Sequence, residues 1–329
     1  MSEELRKLKE KYEEYLLGVK GVTGVGLNGS IIVYADPAVL QEVKQIIPRQ
    51  IEGVPVRVVE SKFKLMSLRI MDAIYADRTK RFRPCPGGVS VGHSKISAGT
   101  LTCRVLDKAT REVIGGLSNN HICSLDWGEL HVGKVGDSTL QPAPYDGGTE
   151  LTDKIGVLLK YVPVKSDIDN LIDAAVFSSN ELKGEILEVG NPSHTVEPRV
   201  GMKVLKSGRT SGVTYGTIFD VNATLKVEGG EGWGSCVFKD QIVISPAILS
   251  PGDSGSWIGE IDTFNTVGLG FAGSDTLSVA NRALTVEELL DIEIIPPVPP
   301  VSLPIATGLW LGLFGVGFAI VYGGGKLEL

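Results

Sequence analysis

Pro251-Gly252-Asp253-Ser254-Gly255-Ser256 is the run on which the reading of this chain turns. Glycine adopts backbone angles that side chains forbid, so a serine flanked by glycines can stand on a tight turn where several N–H groups converge on one point. Taken alone, the run is equally an ordinary turn. Its setting adds weight. Strand-like apolar stretches lie on either side of it, at 241–245 and 256–261, late in a region that lacks long helices.

Two other stretches join it. In Gly115-Gly116-Leu117-Ser118-Asn119-Asn120-His121, a strand-like run ends in polar residues and a histidine. Imidazole is the natural general base near neutral pH. The chain has 4 histidines, and His93, His131 and His194 lack this context and read as surface or turn residues. In Asn170-Leu171-Ile172-Asp173-Ala174-Ala175-Val176-Phe177, an aspartate opens an apolar strand. There it either caps the strand or accepts from an imidazole N–H. Asp167 and Asp169 fall in the polar loop before it. The order is His, Asp, Ser with spacings of 52 and 81 residues, the chain order of a chymotrypsin-type triad.

Residues 85–295 therefore resemble the trypsin-like serine peptidase family. Leu117-Ser118-Asn119-Asn120-His121 is similar to the Leu-Thr-Asn-Asn-His form of bacterial and plant members. The segment 206–216, opening Lys206-Ser207-Gly208-Arg209, resembles a strand-turn-strand of the same branch. Gly21-Val22-Thr23-Gly24-Val25-Gly26 and Gly53-Val54-Pro55-Val56-Arg57 resemble the α+β module that accompanies that branch, which includes the plant Narrow-leaf-type proteins.

The resemblance implies a mainly β fold with two antiparallel β-barrels of chymotrypsin type, and a serine endopeptidase acting on protein or peptide without a cofactor. By position, Ser254 is the nucleophile, His121 the base and Asp173 the group that orients it, with the N–H groups of Gly252 and Ser254 as oxyanion hole. The base of the specificity pocket falls six residues before the nucleophile, at Ile248. An apolar base does not pair with Lys or Arg, so a small or apolar residue is expected before the cleaved bond. The stretch Gly268-Leu269-Gly270-Phe271-Ala272-Gly273 is expected to line one wall and pair with the substrate backbone. Two departures stand out. No Ile-Val-Gly-Gly-type start precedes the barrels, so contacts other than a liberated amine must order Asp253 and the oxyanion loop. Ser256 also replaces a second glycine. A catalytically weak or inactive peptidase-like scaffold or binding module is the alternative. An acyl hydrolase elbow would place a helix after the serine, where this chain has a strand-like run.

Composition agrees with a globular, turn-rich chain: 329 residues, 43% apolar, 22% charged, 6% aromatic and 41 glycines. A net charge of -7 argues against nucleic acid as partner, because phosphate neutralisation needs clustered Lys and Arg. The one basic run, 78–83, reads as a solvated linker. Cys85, Cys103, Cys123 and Cys236 form no Cys-x-x-Cys pair, and no metal site is expected. Cys103 and Cys123 flank His121, either as a disulfide of the kind extracellular relatives carry or as two buried thiols.

Along the chain, a charged N-terminus without an apolar core is not a secretory signal. Residues 1–60 read as a small α+β, ferredoxin-like module: helix 3–17, strands 22–27 and 31–34, helix 38–47 capped by Asp36 ahead of Pro37, and strand 54–59. Residues 61–84 read as a linker. Strands are expected at 89–91, 98–106, 113–118, 132–135, 154–161, 174–177, 204–207, 215–222, 241–245, 256–261 and 266–271, with a helix at 286–290. Prolines make 296–304 a spacer. The 18 residues 305–322 hold no charge, the length of a minimal transmembrane helix, and are expected to anchor the chain in a membrane. A glycine-rich buried helix or an oligomer contact is the alternative there. Without that anchor the reading is cytoplasmic, and oligomeric state is not read from sequence.

Overall fold

The computed structural model describes residues 3–66, 76–96 and 98–294. At the N-terminus, α1 (Glu3–Leu17) turns Leu5, Leu8, Tyr12 and Leu16 to one face, the spacing of an amphipathic helix. That face packs on β1 (Val22–Leu27) and β2 (Ile31–Ala35), a hairpin whose turn carries Gly29 at φ 63°. Asp36 caps the next turn by accepting from Ala38 N at 2.9 Å. The expected helix 38–47 is divided: Pro37–Val39 forms a 3₁₀ turn, and α2 (Leu40–Ile46) succeeds it. The chain then returns as β3 (Val54–Glu60), parallel to β2. Next comes a two-residue strand, β4 (Lys64–Leu65), inside the stretch read as a linker.

A first antiparallel sheet uses β5 (Ser90–His93), β6 (Cys103–Asp107), β7 (Val113–Ser118), β8 (Ser138–Leu140), β9 (Lys154–Tyr161) and β10 (Ala175–Ser178), in the order β6-β7-β10-β9-β8-β5. Val89, Val91, Leu101, Ile122, Leu158, Ala175 and Phe177 form one of its buried clusters. The expected strand 98–106 breaks into Gly99–Thr100 and β6. Residues 132–135 form no strand: Gly133 N instead donates to Ser124 O at 2.6 Å and folds the chain back on the turn after His121.

A second set comprises β11 (Lys203–Gly208), β12 (Gly212–Glu228), β13 (Ser235–Ser245), β14 (Trp257–Glu260), β15 (Asn265–Gly273) and β16 (Ser278–Arg282). They pair as β11-β14-β15-β16-β13-β12, and β11 also pairs with β12, so these six strands close into a ring. The helix expected at 286–290 begins earlier, as Ala283–Leu289.

The 17-residue β12 outlasts the ring. Its far half pairs with β1, placing Leu225 opposite Gly24, so the N-terminal sheet continues into the second set without a break. The join is also polar. Buried Asp220 accepts from Leu27 N at 2.8 Å and from Tyr34 Oη at 3.0 Å. The described residues 3–60 run α1, β1, β2, α2, a short strand Gln50–Ile51 and β3, and their strands extend the sheet beyond β12. The spacer 296–304 and the anchor 305–322 lie outside the described residues, and among the described residues no helix is long and apolar enough to cross a membrane.

Candidate active site

His121 sits in a single helical turn, Asn120–Cys123, immediately after β7, and Asp173 lies two residues before β10. β7 and β10 are paired neighbours, which brings the two side chains together. His121 N donates to Asp173 Oδ1 at 3.0 Å, and His121 Nδ1 is in short contact with Asp173 Oδ2. A carboxylate at Nδ1 fixes the proton there and turns the Nε2 lone pair outward. That Nε2 is buried and makes no hydrogen bond.

The second set of strands holds Asp173 in place. Asp173 N donates to Asn281 Oδ1 at 3.0 Å, and Asn281 Nδ2 donates to Gln241 Oε1 at 2.8 Å. From the first set, Asn119 Nδ2 donates to Asp173 O at 2.6 Å. Sequence reasoning misses all three positioning residues. Asn119, adjoining His121 in the quoted run, is the one with a local signal.

Ser254 stands on the turn between β13 and β14. Gly252 and Gly255 have φ of 97° and 93°, and a Cβ on Gly255 would meet Thr100 O at 2.1 Å, so glycine is required there. The turn is tied to the first set of strands by Thr100 N donating to Ser254 O at 2.7 Å and Thr102 Oγ1 to Gly255 O at 2.6 Å. Ser254 Oγ donates to Phe271 O at 3.1 Å and not to His121. His121, Asp173 and Ser254 have no exposed surface.

Asp253 is ordered from within the chain. Lys206 Nζ lies 2.9 Å from Asp253 Oδ2, and both side chains are fully buried. Thr210 N, Ser211 N and Ser250 N donate to the same carboxylate at 2.8, 3.1 and 2.9 Å. Burial pulls the Lys206 ammonium below its ordinary pKa, and the facing Asp253 opposes that fall. The sequence marks the segment 206–216 but not its lysine as the internal partner of Asp253.

Several sequence expectations meet different surroundings. Arg78 is not solvated: its side chain is 3% exposed and donates to Gly88 O, Ser207 Oγ and Glu188 Oε2 at 2.8, 2.7 and 2.8 Å. His93 is no surface residue but is buried, with Nε2 3.1 Å from Asp137. All four cysteines are free and buried, so Cys103 and Cys123 are thiols rather than a disulfide. Burial pushes the Cys85 and Cys123 thiols up to about 12, which keeps them protonated and poor nucleophiles. No cluster able to hold a metal occurs among the described residues.

Ile248 is buried, in one apolar cluster with Ile218, Ile242, Ile244, Leu249 and Met66. Within the expected stretch 268–273 the two halves differ in what their edges hold. Gly268 and Leu269 are hydrogen-bonded into the sheet on both edges, against β14 and β16, and Gly270 carries Gly255 N and Ser256 O on one edge and Ala280 on the other. These three positions have no edge left for a substrate backbone. The other half of the stretch, Phe271, Ala272 and Gly273, lies where β15 has run past β14. The edge there is occupied by β4: Leu65 pairs with Ala272 and Lys64 with Gly273. Met66 N donates to Phe271 O at 3.1 Å, and Gly252 N donates to Met66 O at 2.6 Å.

No family model and no curated protein matches the chain. Among solved structures it is similar to a Cellulomonas bogoriensis chymotrypsin, at 17% identity and TM-score 0.43, over 64% of this chain and 98% of that one. It is also similar to a Nocardiopsis protease, at 16% identity and TM-score 0.44, over 63% and 97%. A homolog of α-lytic protease gives 15% identity and TM-score 0.46, over 64% and 99%.

Proposed function

We propose that the protein is a serine endopeptidase working through Ser254, His121 and Asp173. The observation that carries this reading is the buried His121–Asp173 pair, whose free Nε2 has no hydrogen-bond partner. A buried, unsatisfied imidazole nitrogen costs free energy, and a structure keeps one where it serves chemistry. Ser254 turns from Phe271 O toward Nε2, gives up its proton and attacks the carbonyl carbon. His121 returns the proton to the leaving amine, and Asp173 stabilises the imidazolium in between. The N–H groups of Gly252 and Ser254 receive the developing oxyanion. A single donor of that kind lowers the barrier by about 3 kcal/mol.

Substrate backbone adds to the edge at Phe271, Ala272 and Gly273, and the side chain before the cleaved bond enters the apolar cluster at Ile248. That favours an apolar residue there. Cleavage profiling of a peptide library with wild type and Ser254→Ala tests the reading. Cleavage after apolar residues by wild type alone is expected, and equal cleavage by both contradicts it.

A second reading is a peptidase-like scaffold without activity. It is favoured by the Ser254 hydroxyl being bonded to Phe271 O rather than to the base.

A further inference from the structure

We propose that the chain's own residues 64–66 are the first substrate of this site, cut in cis on the carbonyl side of Met66; the proposal rests on the peptidase reading above. Three features place this segment as a substrate rather than as ordinary packing. Its backbone adds antiparallel to β15 where β15 has run past β14, with Leu65 opposite Ala272 and Lys64 opposite Gly273. Strand addition of this kind is how extended peptides are held for recognition. The Met66 side chain is 2% exposed and shares its apolar cluster with Ile248 and Leu249, which immediately precede the nucleophile turn. Most telling is the Met66 carbonyl. It accepts at 2.6 Å from the N–H of Gly252, two residues from Ser254, while Met66 N bonds to Phe271 O, the same oxygen that holds the Ser254 hydroxyl. Backbone, side chain and carbonyl are thus each matched to a different part of the site.

The reaction balances without any added co-reactant but water. Ser254 Oγ bonds to the Met66 carbonyl carbon and its proton passes to His121 Nε2. The bond from Met66 to the nitrogen of Ser67 breaks, and His121 donates its proton to that nitrogen. Water then hydrolyses the Met66–Ser254 ester, leaving a carboxylate on Met66 and restoring the Ser254 hydroxyl. The N-terminal product stays bound, because β1 remains paired with β12 and Leu27 N with Asp220. Holding the segment in cis supplies it at a high effective concentration, so the rate is independent of protein concentration.

The test uses the full chain in four forms: wild type, Ser254→Ala, Met66→Leu and Met66→Asp. Each is followed by intact mass over time at two protein concentrations, and in parallel by labelling with a fluorophosphonate probe. Wild type and Met66→Leu are expected to yield fragments 1–66 and 67–329 that elute together, at a rate unchanged by dilution. Ser254→Ala is expected to stay whole, and Met66→Asp to be cut at that bond at least a hundredfold more slowly, since a carboxylate does not enter an apolar pocket. Wild type that labels at Ser254 yet stays whole overturns the inference and leaves the peptidase reading standing. Cutting at this bond in Ser254→Ala, or at the wild-type rate in Met66→Asp, also overturns it. If wild type is neither labelled nor cut and Met66→Asp is not labelled, the peptidase reading itself fails, and the inference with it.

Discussion

Lys206 Nζ lies 2.9 Å from the Asp253 carboxylate, and neither side chain has exposed surface. Asp253 is the residue between the two proposed oxyanion donors, Gly252 and Ser254. The pair fixes the loop from inside the fold, so no cut that frees an amine is needed to order it. Removing one member of a buried pair leaves the other charged and unpaired, at a cost of about 3–5 kcal/mol. Lys206→Met is therefore expected to lower stability by that amount and peptide cleavage by at least a hundredfold. Denaturant unfolding and peptide turnover check the two effects. A variant with wild-type stability and rate would remove Lys206 from the ordering of the loop.

Asp173→Asn keeps the shape of the site but presents an amide to His121 Nδ1. The imidazole then has no carboxylate to hold its proton there. A loss of about 10⁴ in turnover is expected, with the fold intact by circular dichroism. A loss below tenfold would argue that Asp173 is only a strand cap.

Ile248→Asp places a carboxylate at the base of the apolar cluster. Cleavage after Met or Leu is expected to fall at least tenfold, and cleavage after Lys or Arg to rise relative to it. Peptide profiling reads the ratio. An unchanged ratio would move the specificity pocket away from Ile248.

Asp220 joins the N-terminal strands to β12, and burial raises its carboxyl to about 6. Its folded pKa lies above the unfolded value, so the folded state holds the proton more tightly. The stability this contributes is full below about pH 4 and is lost as pH rises through about 6. Relative to Asp220→Asn, the wild-type protein is expected to lose on the order of 3 kcal/mol between pH 4 and 7. Chemical unfolding of both across that range checks it. Parallel curves would show that Asp220 titrates normally.

Much of this architecture is legible in the chain because it is written locally. α1, β1, β7 and β9 match their expected bounds residue for residue, since amphipathic spacing or an alternating run bounded by glycine or a charge defines each. The failures share a different cause. Val132 and Val135 look like strand residues, but the loop they lie in is set by Gly133 bonding back to Ser124. In the sequence nothing separates Gly268, Leu269 and Gly270 from the three residues that complete the stretch 268–273. Which part of a strand its neighbour leaves open depends on how far that neighbour reaches, and β14 starts only at Trp257, opposite Leu269. Lys206 and Arg78 look like surface charges, because their acidic and carbonyl partners lie 47 and 10 residues away in sequence. The serine, histidine and aspartate stand in local motifs. Asn281 and Gln241, which position the aspartate across the two sets of strands, carry no such motif.

The central claim is that Ser254 is a nucleophile activated by His121. Fluorophosphonate labelling and then peptide mass mapping test it most directly, on wild type, Ser254→Ala, His121→Ala and Met66→Asp. The expected result is an adduct on Ser254 in wild type and in Met66→Asp, with none at that position in Ser254→Ala and at least a thousandfold slower labelling in His121→Ala. Wild type and Met66→Asp both unlabelled at Ser254, under conditions that label a known serine peptidase, would contradict it.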